Sequence, residues 1–97
     1  MEFIEYSQTG VVGTKYFKFY DNGQIETKNC SYEWKGCQKS IPMEEINVMF
    51  EEARNAEDAN AQISPYSENG LNFGFTYRGK TYTEAPKSYE IIGKYLY

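Results

Sequence analysis

The sequence predicts an α+β domain: an antiparallel β-sheet, built from a meander and a second hairpin, packed against an acidic amphipathic helix. Three observations carry this. Residues 16–28 alternate in polarity around Asp21-Asn22-Gly23, residues 43–56 repeat apolar side chains at intervals of three and four, and residues 71–84 alternate again around Arg78-Gly79. At 97 residues the chain is long enough for one core and too short for two, so residues 1–97 form a single predicted domain. Ten Tyr, six Phe and Trp34 supply the bulk for that core.

The first strand is expected at about Glu2 to Ser7, with Ile4 and Tyr6 on one side and Phe3 on the other. Gly10-Val11-Val12-Gly13 lacks the Gly-Lys-Ser/Thr ending of a phosphate loop and reads as a tight turn between strands. In the next hairpin, a three-residue loop with Gly23 left-handed sets Phe19 against Ile25 and Phe17 against Thr27, while Lys18 pairs with Glu26 on the opposite surface. A two-residue Asn-Gly loop would mix the faces and is rejected. The chosen register leaves Tyr16 and Tyr20 beside Lys18, away from the Phe17 and Phe19 core. Beyond Lys28 the chain is expected to stay extended through Trp34, turn at Lys35-Gly36 and return through Cys37 to Ile41, giving a meander of three or four strands.

The middle of the chain predicts a helix. Ser40 can cap it, Pro42 suits a first turn, and Met43, Ile46, Met49, Phe50, Ala53 and Ala56 form its apolar face. Glu44, Glu51 and Asp58 lie seven apart on the other side, flanked by Glu45, Glu52 and Glu57, a row of about 21 Å at the helical rise. Asn60 to Gly70 is turn chemistry. Leu71 to Tyr77, Arg78-Gly79 and Lys80 to Glu84 make the second hairpin, with Leu71, Phe73, Phe75 and Tyr77 on one face and Gly74 marking a bulge or a close approach. After Pro86, residues 88–97 read either as a short helix capped by Ser88, bearing Ile91, Ile92, Tyr95 and Leu96, or as a strand.

Composition removes several functions. With no histidine, the chain cannot build a Ser-His or Cys-His pair or a histidine-ligated zinc site, and the Glu44-Glu45 and Glu51-Glu52 pairs point apart on a solvated helix face, so no enzyme, cofactor or metal site is expected. Cys30 and Cys37 lack redox C-x-x-C spacing and read as reduced thiols, with a structural disulfide between them as the alternative. The amino terminus has no basic n-region or continuous apolar stretch, and no run of roughly 18 apolar residues occurs, so the expectation is a soluble cytoplasmic protein. The net charge of −4 arises wholly from residues 44–68, which carry −6 by themselves. Such a segment disfavours direct binding to nucleic acid and suits a basic protein surface.

Phe3-Ile4-x-Tyr6-x-x-Thr9, Tyr20-Asp21-Asn22-Gly23 and Gly36, taken together and without a gap, resemble the start of a small phage-encoded anti-CRISPR protein of type I-F. The likeness covers about the first 36 residues. It implies a small α+β inhibitor, acting as a monomer in the host bacterial cytoplasm, that binds the RNA-guided surveillance (Cascade/Csy) complex and evades host defence. Proteins of that group either sit on the repeated backbone subunits or act as acidic mimics of duplex DNA near the large subunit. By the resemblance, Tyr6 and Tyr20 fall on two tyrosines that carry backbone binding; a third, acidic position falls on Ser31, with Glu33 two residues on. The acidic helix lies beyond the resemblance and favours DNA mimicry, with Glu44, Glu45, Glu51, Glu52, Glu57 and Asp58 standing in for phosphates. Tyrosine-mediated backbone binding, or a generic protein-interaction domain, is the alternative.

Overall fold

A computed structural model describes residues 1–10, 13–29, 33–58, 66–68 and 71–96. For Glu57, Asp58, Leu71, Asn72 and residues 66–68 it describes the backbone alone. The chain runs β1 (Phe3–Gly10), β2 (Gly13–Tyr20), β3 (Ile25–Asn29), β4 (Lys35–Gly36), α1 (Met43–Asp58), β5 (Tyr66–Glu68), β6 (Leu71–Tyr77), β7 (Lys80–Tyr82) and α2 (Pro86–Tyr95). All described strand pairs are antiparallel, in the order β4-β3-β2-β1-β6-β5, and β7 joins β5 on the outer edge of β6.

The β2–β3 hairpin has the predicted register, with Phe19 opposite Ile25, Lys18 opposite Glu26 and Phe17 opposite Thr27. Gly23 sits at φ +94°, and its amide donates to the Tyr20 carbonyl at 2.9 Å, closing the three-residue loop. The backbone conformation requires glycine there, and the close approach of an exposed methionine adds to it. A side chain would strain the left-handed backbone, and its Cβ would lie 2.7 Å from the sulfur of Met43 at the start of α1. The second hairpin forms about the expected turn, Tyr77 opposite Lys80, with Arg78 (φ 52°) and Gly79 (φ 78°) in the two-residue turn, but its second strand ends at Tyr82 and not Glu84.

Three expectations about the sheet are corrected. Lys35-Gly36 is not a turn but a two-residue strand against Thr27 and Glu26, so the chain reverses before Lys35. The open edge of β3 offers backbone partners, and the Cys37 amide extends the pairing by donating to the Ile25 carbonyl at 2.9 Å. Residues 66–68, read as part of a turn region, pair with Leu71–Phe73 for the same reason. Gly74 forms no bulge, since β1 and β6 stay in step from Ile4 opposite Tyr77 to Thr9 opposite Asn72. The expected turns at Val11-Val12 and Ser64-Pro65 fall outside the described residues.

Both helices cover one face of the sheet. Ile4, Tyr6, Phe17, Phe19, Ile25, Phe75 and Tyr77 from the strands meet Ile46, Met49, Phe50, Ala53 and Ala56 from α1 and Ile91, Ile92 and Leu96 at α2, all buried. Helix α1 forms over the predicted apolar repeat but begins at Met43, so Ser40 is not its cap: Pro42 takes that position, its carbonyl accepting from the Glu45 and Ile46 amides. Residues 86–95 are helix rather than strand, and Ser88 is not the cap. Pro86 opens α2, so its missing amide leaves only those of Lys87 and Ser88 to satisfy in the first turn. Both go to the Glu52 carboxylate of α1, at 3.0 and 2.8 Å, and the Ser88 hydroxyl donates to the same group at 2.7 Å. Ser88 lies one turn too deep to cap, and a carboxylate from the neighbouring helix takes that role.

At the opposite end, Glu2 accepts from the Arg78 guanidinium and from the Tyr77 hydroxyl, tying the amino terminus to the second hairpin. Those two bonds hold its carboxyl below its ordinary value of 4.5.

Glu52→Ala is expected to lower stability by about 2 kcal/mol, since a charged acceptor for two helix-terminal amides is lost. For a domain this size that is roughly 10 °C in Tm, measurable by thermal circular dichroism. The depressed Glu2 carboxyl contributes stability that is present above pH 4.5 and is lost as pH falls through its lower folded value. Acid unfolding of Glu2→Gln compared with the unmodified protein should therefore show a shallower loss below pH 4.5.

Candidate functional site: the open face of the sheet

Because α1 and α2 lie on the same side, the other face of β1, β2 and β3 carries no helix. Strand alternation points Phe3 and Glu5, Tyr16, Lys18 and Tyr20, and Glu26 and Lys28 toward it. The chain preceding β4 brings Trp34 over the same surface. Its ring meets that of Tyr16 edge-on, with centroids 6.3 Å apart.

The result is an alternating ladder of rings and ammonium groups. The Lys18 ammonium lies 5.0 Å from the Phe3 ring centre and 4.4 Å from that of Trp34, and Lys28 lies 4.9 Å from Trp34 and 4.8 Å from Tyr16. Each lysine is held between two rings, where the ring quadrupole fixes its head group without neutralising it. Phe3 also tilts against Tyr20 at 5.7 Å, and the Tyr20 hydroxyl donates to Glu26 at 2.6 Å. That bond and partial burial raise the Tyr20 phenol above its ordinary range. Phe3 is 41% exposed and Tyr16, Lys18, Lys28 and Trp34 are half-buried, so the ladder is a partly accessible surface of rings and cations.

The sequence-derived candidates separate into distinct places. Tyr20 lies on the open face, flanking Lys18 on the side away from Tyr16 as the hairpin register requires. Tyr6 does not: it is 2% exposed and packs among Phe17, Phe75 and Tyr89 under the helices, so it is a core residue and not an exposed anchor. The alternation Phe3-Ile4-Glu5-Tyr6 already paired it with Ile4. Glu33 is exposed beside Trp34. Ser31 and Cys30 lie outside the described residues, whereas Cys37 is a free, half-buried thiol.

One acid of the expected row on α1, Glu52, is not directed to solvent. Glu44 and Glu51 are exposed, Glu45 is half-buried, and Glu52 turns inward to cap α2. The side chains of Glu57 and Asp58 lie outside the described residues. What remains is on the far side of the molecule from the ladder, since α1 packs on the other face of the sheet. One flat partner surface cannot engage both.

Trp34 and Phe3 were not singled out by sequence reasoning. Trp34 sits in a segment with no alternation to orient it, and Phe3 gains meaning only once Lys18, diagonal to it on β2, is placed over its ring. Residue-type clustering would have been a usable signal, because aromatic and lysine residues interleave from Lys15 to Lys35. Among the described residues no group of three or more His, Cys, Asp or Glu is placed to hold a metal ion, and no helix is long and apolar enough to cross a membrane.

Tyr6→Ala is expected to cost about 3–5 kcal/mol through the cavity it leaves, a loss that chemical denaturation would register before any binding is measured. Trp34→Ala, on the open face, should change stability far less while releasing both lysines, visible as sharpened, shifted ammonium and side-chain resonances by NMR. Protein-family models, curated proteins and solved structures provide no match to this chain.

Proposed function

We propose that this chain is a non-catalytic binding protein that docks on a protein partner through the open sheet face. The observation that supports this is the ladder Phe3-Lys18-Trp34-Lys28-Tyr16, in which rigid rings stay partly accessible at low entropic cost and two cations are held in place. The partner to which the amino-terminal resemblance points is the type I-F surveillance complex, with inhibition by occupying its DNA-binding surface. Of the two modes open to such an inhibitor, the structure favours attachment through aromatics over acidic mimicry of DNA. Tyr20 belongs to the open face, whereas Glu52, one of the six acids of α1, is already committed to α2.

The mode is tested by binding to purified surveillance complex, read by interferometry. Tyr16→Ala with Trp34→Ala should weaken binding by about 30-fold, the equivalent of ~2 kcal/mol, with a shallow salt dependence. Glu44→Gln with Glu51→Gln should change it less than about threefold. The reverse order with a steep salt slope would restore DNA mimicry, and no binding by folded, unmodified protein would remove this partner.

A further inference from the structure

On the helix side of the sheet, beyond the end of α2, a groove of about 280 Å³ runs between β2, β3 and the segment following β4. Its floor is apolar, from Phe17 and Leu96, and its rim carries Lys15, Lys35 and Lys39. None of the described residues lining it is acidic, in a chain whose net charge is −4. Two of the three ammonium groups are held in position. Lys39 donates to the carbonyl of Leu96, at the negative end of α2, at 2.9 Å, and Lys15 lies 5.2 Å from the centre of the Phe17 ring. Lys35, on the exposed strand β4, completes the rim.

We infer that this groove is a second docking site and that its occupant is an acidic segment of a protein partner, with carboxylates flanking an apolar side chain. The charge of the rim selects the carboxylates. Fixed ammonium positions reduce the ordering cost that flexible lysines would otherwise add to binding. The apolar floor selects the side chain, which a bare anion could not use. At about 280 Å³ the groove falls at the lower limit for a small-molecule pocket, which fits a side chain presented by a larger surface. The site lies across the sheet from the ladder and does not depend on the identity proposed above for the ladder's partner.

The test is an NMR titration of the isotope-labelled protein with a capped pentapeptide, Glu-Leu-Glu-Phe-Glu, its Gln-Leu-Gln-Phe-Gln counterpart, and sodium phosphate. The acidic peptide should shift the amides of Lys15, Gly36, Cys37 and Leu96 saturably, and affinity should fall by about tenfold as salt rises from about 0.05 to about 0.3 M. Lys15→Gln with Lys35→Gln should weaken it by about tenfold, with other resonances in place; Lys39 is kept because it also holds the end of α2. Absence of saturable shifts, equal shifts with the glutamine peptide, or shifts centred on Lys18, Lys28 and the Trp34 indole would overturn the proposal. So would the same shifts with phosphate alone, which would make the groove a simple anion site. No surveillance complex is present, so this outcome is independent of that partner.

Discussion

Strand β1 is hydrogen-bonded along both edges, to β2 from Phe3 to Gly10 and to β6 from Ile4 to Thr9. It is the seam between the amino-terminal meander and the carboxy-terminal hairpin, and the rest of the architecture follows from its alternation. Ile4 and Tyr6 on one side begin the core that the helices must cover; Phe3 and Glu5 on the other begin the face they leave open. A slip of one residue in this strand would exchange the two faces. The pairing between β1 and β6 spans most of the chain, so it closes a long loop and its entropic cost must be met by burial of Phe75, Tyr77 and their neighbours.

The same division decides how charge can be used. Acidic residues concentrate on α1, yet the helix does not present them as one uniform row. Glu52 satisfies the amides that open α2, replacing a local cap that Ala85 has no side chain to provide. Without that carboxylate the amide and hydroxyl of the buried Ser88 would lose their acceptor, a larger cost than the repulsion among exposed acids. Charge on a helix surface thus serves packing first. The lysines of the meander face a different situation, since Lys18 and Lys28 lie between rings that fix their position and leave their charge in place.

Two surfaces of contrasting chemistry therefore share one sheet. The open face offers partly accessible rings with fixed cations among them; the groove beside α2 offers an apolar floor with a basic rim. Both use side chains from β2, Tyr16 and Lys18 on one side and Lys15 and Phe17 on the other, because neighbouring positions on a strand point in opposite directions.

The sequence by itself determined what local chemistry controls. Asn22-Gly23 and Arg78-Gly79 fixed two turns and hence two registers, and the periodicity from Met43 to Ala56 fixed α1, because each signal lies within a few residues of the structure it specifies. Tyr16 and Tyr20 were legible as outward-facing for the same reason. Only the tertiary structure decided the remainder. A likeness over the first 36 residues placed both Tyr6 and Tyr20 at an interface; alternation set Tyr6 beside Ile4, and the position of the helices shows that this face is the buried one. Glu51 and Glu52 are adjacent and equivalent in sequence, yet the start of α2, more than thirty residues away, recruits one and leaves the other exposed. Trp34 acquires its role from Lys18 and Lys28 across two other strands. In each case the deciding partner is distant in the chain, and no local pattern of polarity encodes a contact whose other half lies elsewhere.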